Sequence, residues 1–599
     1  MNFRFSPRAI LSGIFVVIVL LAGGGQPALA ADAVLGYRWH AQLGLYYVTV
    51  LPPLARDLGV PPRGWLVAAV LEGGAAHRAG VQRGDIVLES APPDLWRSRS
   101  PGSSGTLQLS RQGQPRTVSV TSIEHDPKAP ALPPEPPAPA PRTLLVDAGG
   151  KGKYLTITGA LSAARPGDTV LVQDGLYQEA VVLPSGVTLR GASRDRVGME
   201  AEYPVLAPGT QGAVLEGMSL RGGVYLRAAS SVTLRDCHIA VEKGAGITLY
   251  RAQKIRVEGC AIHGTSESRG IFLDQAEGEI VRTMLTGHSV AVRAVNGSRL
   301  AVSSGFLDGN RFGISVSDSD LTVAKLMATG GGEEETVGIF LENSRGTVKE
   351  SSVRGFQWGI SVHNTRGEMT GNTLTQNQIG IQIKSSPVNV AGNLILDNAQ
   401  VGVQILPPGG KPSPRTTVAH NAIRGNFWGI SLDKGGAEIH HNLIENNWMG
   451  ILVEEAAPVI RNNTIVLQRG PGVEFAEGSK GELFNNILAF NAFGVRVDVT
   501  ASVVADHNNV FGNLATREFP LLDGNYVRVD RLPTQRGEKI PIQVFPAYDL
   551  KAATDLDLDP QFVRLGNDYR LSASSPLAAR RGKNGAGIGA FPPVSPGAR

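Results

Sequence analysis

The 599-residue sequence predicts an all-β fold of stacked, repeating coils, and three observations predict it. Charged residues are only 18% of the chain and Gly is abundant at 73, a balance that favours strands and turns over helices. A Gly followed by Ile or Val and an alternating strand recurs at Gly313, Gly338, Gly359, Gly380, Gly402, Gly429, Gly450, Gly472 and Gly494. Successive differences of these positions are 25, 21, 21, 22, 27, 21, 22 and 22, with weaker copies at Gly246 and Gly270. Each repeat also holds three short apolar strands. A period of about 22 with three strands per repeat is the signature of a right-handed parallel β-helix, each coil rising about 4.8 Å.

Asparagine recurs in phase at Asn372, Asn393, Asn421, Asn442, Asn463 and Asn486, with a second series at Asn377, Asn398, Asn426, Asn447 and Asn491. Asn tolerates the left-handed backbone of a tight turn, and its amide can bond the Asn above and below. We place the first series in the second turn of each coil. The only two cysteines, Cys237 and Cys260, fall in the same column of earlier coils. They stack within disulfide range, but in-register side chains point the same way, so a bond and a pair of buried thiols both stay open.

The N-terminus reads as a secretory signal over residues 1–30. Arg4 and Arg8 precede an apolar run from Ala9 to Ala22 that is short for a membrane span, and Ala28-Leu29-Ala30 is a cleavage site. No later segment is long and apolar enough to span a bilayer. The expected location is the periplasm or the extracellular space. A Pro-rich run, DPKAPALPPEPPAPAPR over 126–142, reads as an extended spacer. It separates a small module, 33–125, from the β-helix, 143–515, and its closing segment, 516–599.

In the small module, Gly64 to Val70 is an apolar strand, Gly73 to Val81 a short helix closed by Gly, and Arg83 to Leu88 a turn into a further strand. Leu107 to Gly113 and Thr117 to Val120 close it as a hairpin. This order resembles the PDZ domains of bacterial periplasmic proteases. The resemblance implies that Gly64, Trp65, Leu66 and Val67 capture a protein C-terminus or peptide by strand addition. The second helix of that family is reduced here to Pro92 to Arg97, which implies a shallow groove. Neither a nucleophilic Ser in a Gly-rich elbow nor matching His and Asp is present.

At the start of the long domain, Val146 to Ile157 leads to a helix at 160–165 and then to short strands through Gly191. This segment resembles the capped first turns of pectate-lyase-like and pectin-methylesterase-like β-helices, the helix plugging the open end of the core. The resemblance covers about 143–592 and implies the fold more than an activity, because one fold hosts lyases, hydrolases, esterases, epimerases and non-catalytic proteins.

Families of this fold bind polysaccharide over the first strand of the coil. Its outward column is Phe340, Ser361, Gln382, Gln404, Ser431, Leu452, Glu474 and Arg496. One edge carries Trp358, Trp428, Met449 and Phe493. The other carries Glu342, His363, Lys384, Asp433, Glu454 and Asp498. A polar floor between aromatics and charges suits a sugar chain. Carbohydrate-binding candidates are therefore Trp358, Gln382, Gln404, Trp428, Ser431, Trp448 and Phe493. The competing reading is inward-packed aromatics beside a solvated charged face.

Catalytic candidates are His363, Lys384, Asp433, Lys434, Glu454 and Glu455, the residue types that uronate lyases and epimerases use. Asp433 and Glu454 lie too close for an inverting hydrolase. The paired Asp motifs of polygalacturonases, the Asp-Pro-His of alginate epimerases and the Asp-Thr with Gln pattern of pectin methylesterases are absent. No phosphate loop, zinc spacing or calcium repeat occurs, so no metal or cofactor is expected, calcium staying open without a motif to support it. Leu406 to Arg415 lengthens one first turn beside Asp433 and His363. In IHHNLIENNWMGILVEE, His441 falls in the turn column of Gly371, Gly392, His420 and Asn462, and only Trp448-Met449 and Glu454-Glu455 flank the groove.

A net charge of +4 is no nucleic-acid footprint, while a pI of 8.9 does not repel an acidic polymer. The sequence therefore predicts an exported β-helix protein that binds, and as a lyase or epimerase processes, a polysaccharide. The alternative is a non-catalytic scaffold or maturation-factor-like adaptor that uses both modules for protein contacts.

Overall fold

The computed structural model describes residues 37–40, 43–50, 55, 60, 63–88, 102–111, 113–121, 140–406, 416–513, 524–530, 543–547 and 550–592. The expected signal segment, residues 92–97, most of the Pro-rich run and the insertion at 407–415 lie outside them. Among the described residues no helix is long and apolar enough to cross a membrane. The described chain divides into two units, one ending at Leu307 and the other starting at Asp308.

The unit ending at Leu307 begins with a six-stranded antiparallel sheet in sequence order, from Tyr37–His40 to Gln114–Thr121. The apolar strand expected at Gly64 to Val70 forms Trp65–Val70, and the helix shortens to Ala75–Arg78. Leu45, Tyr47, Val67, Ala76, Leu107 and Leu109 bury its core. Tyr46 and Ala68, on the other face, pack with Val182 and Leu206 of the first coils. Arg83 donates to the carbonyls of Leu161 and Ala164, capping the helix Ile157–Ala163. That helix starts three residues before the expected position. Thr156 accepts from the Gly159 N–H at 3.1 Å, and the Glu179 carboxylate takes the Ile157 and Thr158 N–H groups. Cys237 and Cys260 are free and buried, which leaves the thiol reading standing.

In the unit starting at Asp308 each coil contributes three strands, for example Trp428–Gly435, Ala437–His440 and Leu443–Glu445. First strands pair in parallel down the stack from Phe312–Ser317 to Tyr526–Asp530. Ile360, Ile381, Val403, Ile430 and Ile451 point inward from successive coils and are fully buried. Each such side chain contributes about 2–3 kcal/mol by leaving water. The recurring Gly is a packing requirement. A Cβ on Gly429 would stand 2.6 Å from the Gly450 carbonyl oxygen of the next coil and 3.0 Å from an Ile444 methyl.

Both asparagine series form ladders. The Asn421 amide donates to Asn442 Oδ1 at 2.9 Å, and Asn442 donates to Asn463 Oδ1 at 3.0 Å and to the Val418 carbonyl at 2.8 Å. In the second series Gln468 fills the place between Asn447 and Asn491, accepting from the Asn447 N–H at 2.9 Å. The first ladder ends at Asp555. Its Oδ1 accepts the Asn508 N–H at 2.7 Å, and its Oδ2 accepts the Tyr526 hydroxyl at 2.7 Å. Asp555 is thus a structural acid that closes the ladder. Asn442→Ala strands the Asn421 donors and the Val418 carbonyl in a dry turn, so it should cost about 2 kcal/mol in a urea melt. In the closing segment, Tyr569, Leu571, Leu577 and Ile588 pack on Val466, Ile487 and Ala489.

Candidate functional site

The expected register holds residue by residue. Phe340, Ser361, Gln382, Gln404, Ser431, Leu452, Glu474 and Arg496 pair in succession down the first strands. They do not form an open floor, however. Gln382, Gln404 and Ser431 are buried. Ser361 Oγ donates to Gln382 at 3.1 Å and Gln382 donates to Gln404 at 2.9 Å, so these polar groups satisfy one another. Arg496 pairs with the buried Glu474 at 2.5 Å. Parallel stacking causes this, since like residues sit one strand spacing apart and share their hydrogen bonds.

Of the aromatic edge, Met449 and Phe493 are buried, whereas Trp358 and Trp428 are half-buried. The exposed aromatics lie one residue earlier, in the turn that follows the third strand. Phe427 and Trp448 occupy one position in successive coils and stack at 5.0 Å with 8° between their planes. Both stay exposed, at 43% and 42%. The next coil has Gly470 in that place, so no side chain there covers the other face of Trp448. Together with Asp397, Arg424, Asn446 and Arg469 they line a cleft of about 620 Å³. Arg469 is exposed, and Arg424 lies 3.6 Å from Glu445.

The sequence reading named Trp448 but missed Phe427, Arg424 and Arg469. The signal was present as Asn-Phe-Trp-Gly at 426–429 and Asn-Trp-Met-Gly at 447–450. The ladder Asn fixes the turn, and the residue after it must point outward.

The charged edge holds two kinds of group. Asp433 pairs in register with Glu454, and Lys434 meets Glu455 at 3.7 Å. Burial first, then Asp433 and Glu474, push the Glu454 carboxyl up to about 7, while burial also raises Asp433. His363 is buried beside Lys384 and held down to about 4, so it is neutral at pH 7. Among the described residues its Nε2 has no hydrogen-bond partner, and its ring meets Phe340 edge-on at 5.2 Å. His363 lies three coils from Asp433, roughly 14 Å, so these two do not act on one bond. Met449 and Glu454 are five residues apart on one strand, about 16 Å, the breadth of the face between shelf and acids.

In the small module Trp65–Val70 pairs with Leu45–Thr49 on one side. On the other, Trp65 and Leu66 pair with Val87 and Ile86, and the Val67 N–H donates to the Asp85 carbonyl at 2.8 Å. Both edges of Trp65 to Val67 are therefore filled, and an incoming peptide finds no free edge there.

A family model described as the right-handed β-helix region matches residues 215–307, 312–465 and 417–525. No curated protein matches the chain. Among solved structures, a mutant of the periplasmic alginate epimerase aligns at 13% identity over 55% of this chain and 84% of that one, with a TM-score of 0.34. The A-module of Azotobacter vinelandii mannuronan C-5 epimerase aligns at 14% identity over 58% of this chain and 92% of that one, with a TM-score of 0.24. The catalytic unit of a GH87 α-1,3-glucanase from Streptomyces thermodiastaticus gives 14% identity, 58% and 69% coverage, and a TM-score of 0.30.

Proposed function

Since the chain belongs to the right-handed β-helix family, we propose that it is an exported polysaccharide-binding protein whose coils present a sugar-stacking shelf at Phe427 and Trp448. The observation that carries this reading is the stacked, exposed ring pair above a cleft edged by two guanidinium groups. Apolar sugar faces stack on such rings, and Arg424 and Arg469 suit the carboxylates of an acidic polymer. From the shelf, a chain crossing the first-strand face reaches Glu454 after about 16 Å, some three sugar rings. Within this reading Glu454 is the proton donor for processing, because its carboxyl keeps its proton close to neutral pH.

Gel retardation against uronate-containing and neutral polymers tests it. Trp448→Ala should weaken retention about tenfold, and Arg469→Ala should weaken it for uronate polymers more than for neutral ones. A chain retained by no polymer, or retained equally after Trp448→Ala, refutes the proposal. Ultraviolet absorbance of unsaturated products reads processing, which Glu454→Gln should abolish. Retention without such products in the unmodified protein confines the function to binding.

A further inference from the structure

We propose that His420, His440 and His441 form a binding site for one divalent transition-metal ion of the zinc class. The site lies in the turn between second and third strands and does not depend on the polysaccharide reading. Its residues come together because of coil register. His420 and His441 hold the same turn position in successive coils, where Gly392 precedes and Asn462 follows. Both have left-handed backbone, φ 57° and 54°, which turns their side chains outward from the stack in parallel. Their rings stack at 5.0 Å with 22° between planes.

His440 ends the strand Ala437–His440 and arrives from a different direction. Its ring stands edge-on to both others, 5.9 Å from His420 and 5.1 Å from His441. The Nδ1 atoms of His440 and His441 are 2.9 Å apart. One ring nitrogen from each of the three lies within 4.8 Å of the others.

Tetrahedral ligands with metal–nitrogen bonds of about 2.0–2.1 Å stand roughly 3.4 Å apart. The observed spread brackets that value, so ring rotations alone close the set, with the backbone already in place. The donor set is all imidazole. That chemistry suits zinc, cobalt or nickel and not calcium or magnesium, which take oxygen ligands. His420 is exposed while the other two are half-buried, so an ion has a route in and a fourth position stays open to water. Arg461 follows His440 in register and carries a charge of the same sign as the ion, and Glu438 lies 3.8 Å from it as its counter-charge.

Cobalt(II) is the probe, titrated into the full, tag-free chain. One equivalent should bind and give the visible bands of a tetrahedral site, which zinc then bleaches. His441→Asn and His420→Gly install the residues that the adjoining coils carry there, so the turn is kept. Each should weaken cobalt binding tenfold or more. His507→Asn changes the same turn position further down the stack and should leave the titration unaltered. Absence of a stoichiometric cobalt spectrum in the unmodified chain overturns the proposal. So does an unchanged spectrum in the His420→Gly, His441→Asn double variant, which would place the ion elsewhere.

Discussion

Gly429→Val should cost more than about 4 kcal/mol and prevent recovery of a folded β-helix at 37 °C. The reason is position, not backbone freedom. At Gly429 the neighbour 2.6 Å from a built Cβ is a main-chain carbonyl oxygen, with Asn447 Nδ2 at 3.2 Å behind it. Neither can move without breaking the inter-coil hydrogen bonds that hold both. A valine there meets fixed atoms, whereas an added methyl in an ordinary core meets side chains that can turn. Thermal melting of the purified variant, or its recovery only in inclusion bodies, checks the expectation. A loss below about 1 kcal/mol would show that adjoining coils can separate locally.

Glu454→Gln should stabilise the protein at pH 8 and change little at pH 4. Burial and the neighbouring Asp433, Glu474 and Glu455 raise this carboxyl from its ordinary 4.5 to about 7, against the opposing pull of Lys434. The folded chain therefore keeps a proton that the unfolded chain releases near 4.5. Folding takes up a proton between those values, so stability falls as pH rises from 4.5 through 7. Above pH 7 the accumulated cost is on the order of 3 kcal/mol, and a neutral amide of the same shape avoids it. Urea midpoints of both proteins at pH 4 and pH 8 decide the matter. Parallel pH profiles would mean that Glu454 ionises as an exposed acid does.

The register of the coils was legible because it repeats. The spacing of Gly and Asn places Phe340 through Arg496 in one column, and the structure pairs those residues in that order. Exposure was not legible. Gln382 and Gln404 have the alternation of outward residues, yet they bond one another and are buried. Whether an outward side chain meets water depends on its partners in adjoining coils, 21 or more residues away. The shelf was half legible for the same reason. Trp448 stood out as an aromatic, but its partnership with Phe427 follows only from knowing which turn positions coincide. The column of Gly and Asn marked His441 as a turn residue, but not that His440, which ends the strand before it, stands beside it. The bend between them brings their ring nitrogens to 2.9 Å.

The Asn ladder also has a direction. From Asn372 through Asn486 to Asn508, every side-chain amide passes one N–H to the following rung and its oxygen accepts from the preceding one, while the same nitrogen also bonds a main-chain carbonyl of the preceding coil. The amide-to-amide bonds therefore all run in one direction along the column. Such a column leaves a donor unspent at its last rung. Asp555 closes it with a carboxylate that receives donors from Asn508, Tyr526 and Ala552. A further Asn at that place would pass the donor on and offer a growing end, the kind of terminus at which a second copy could dock and extend a fibre. A group that only accepts brings the propagation to a halt.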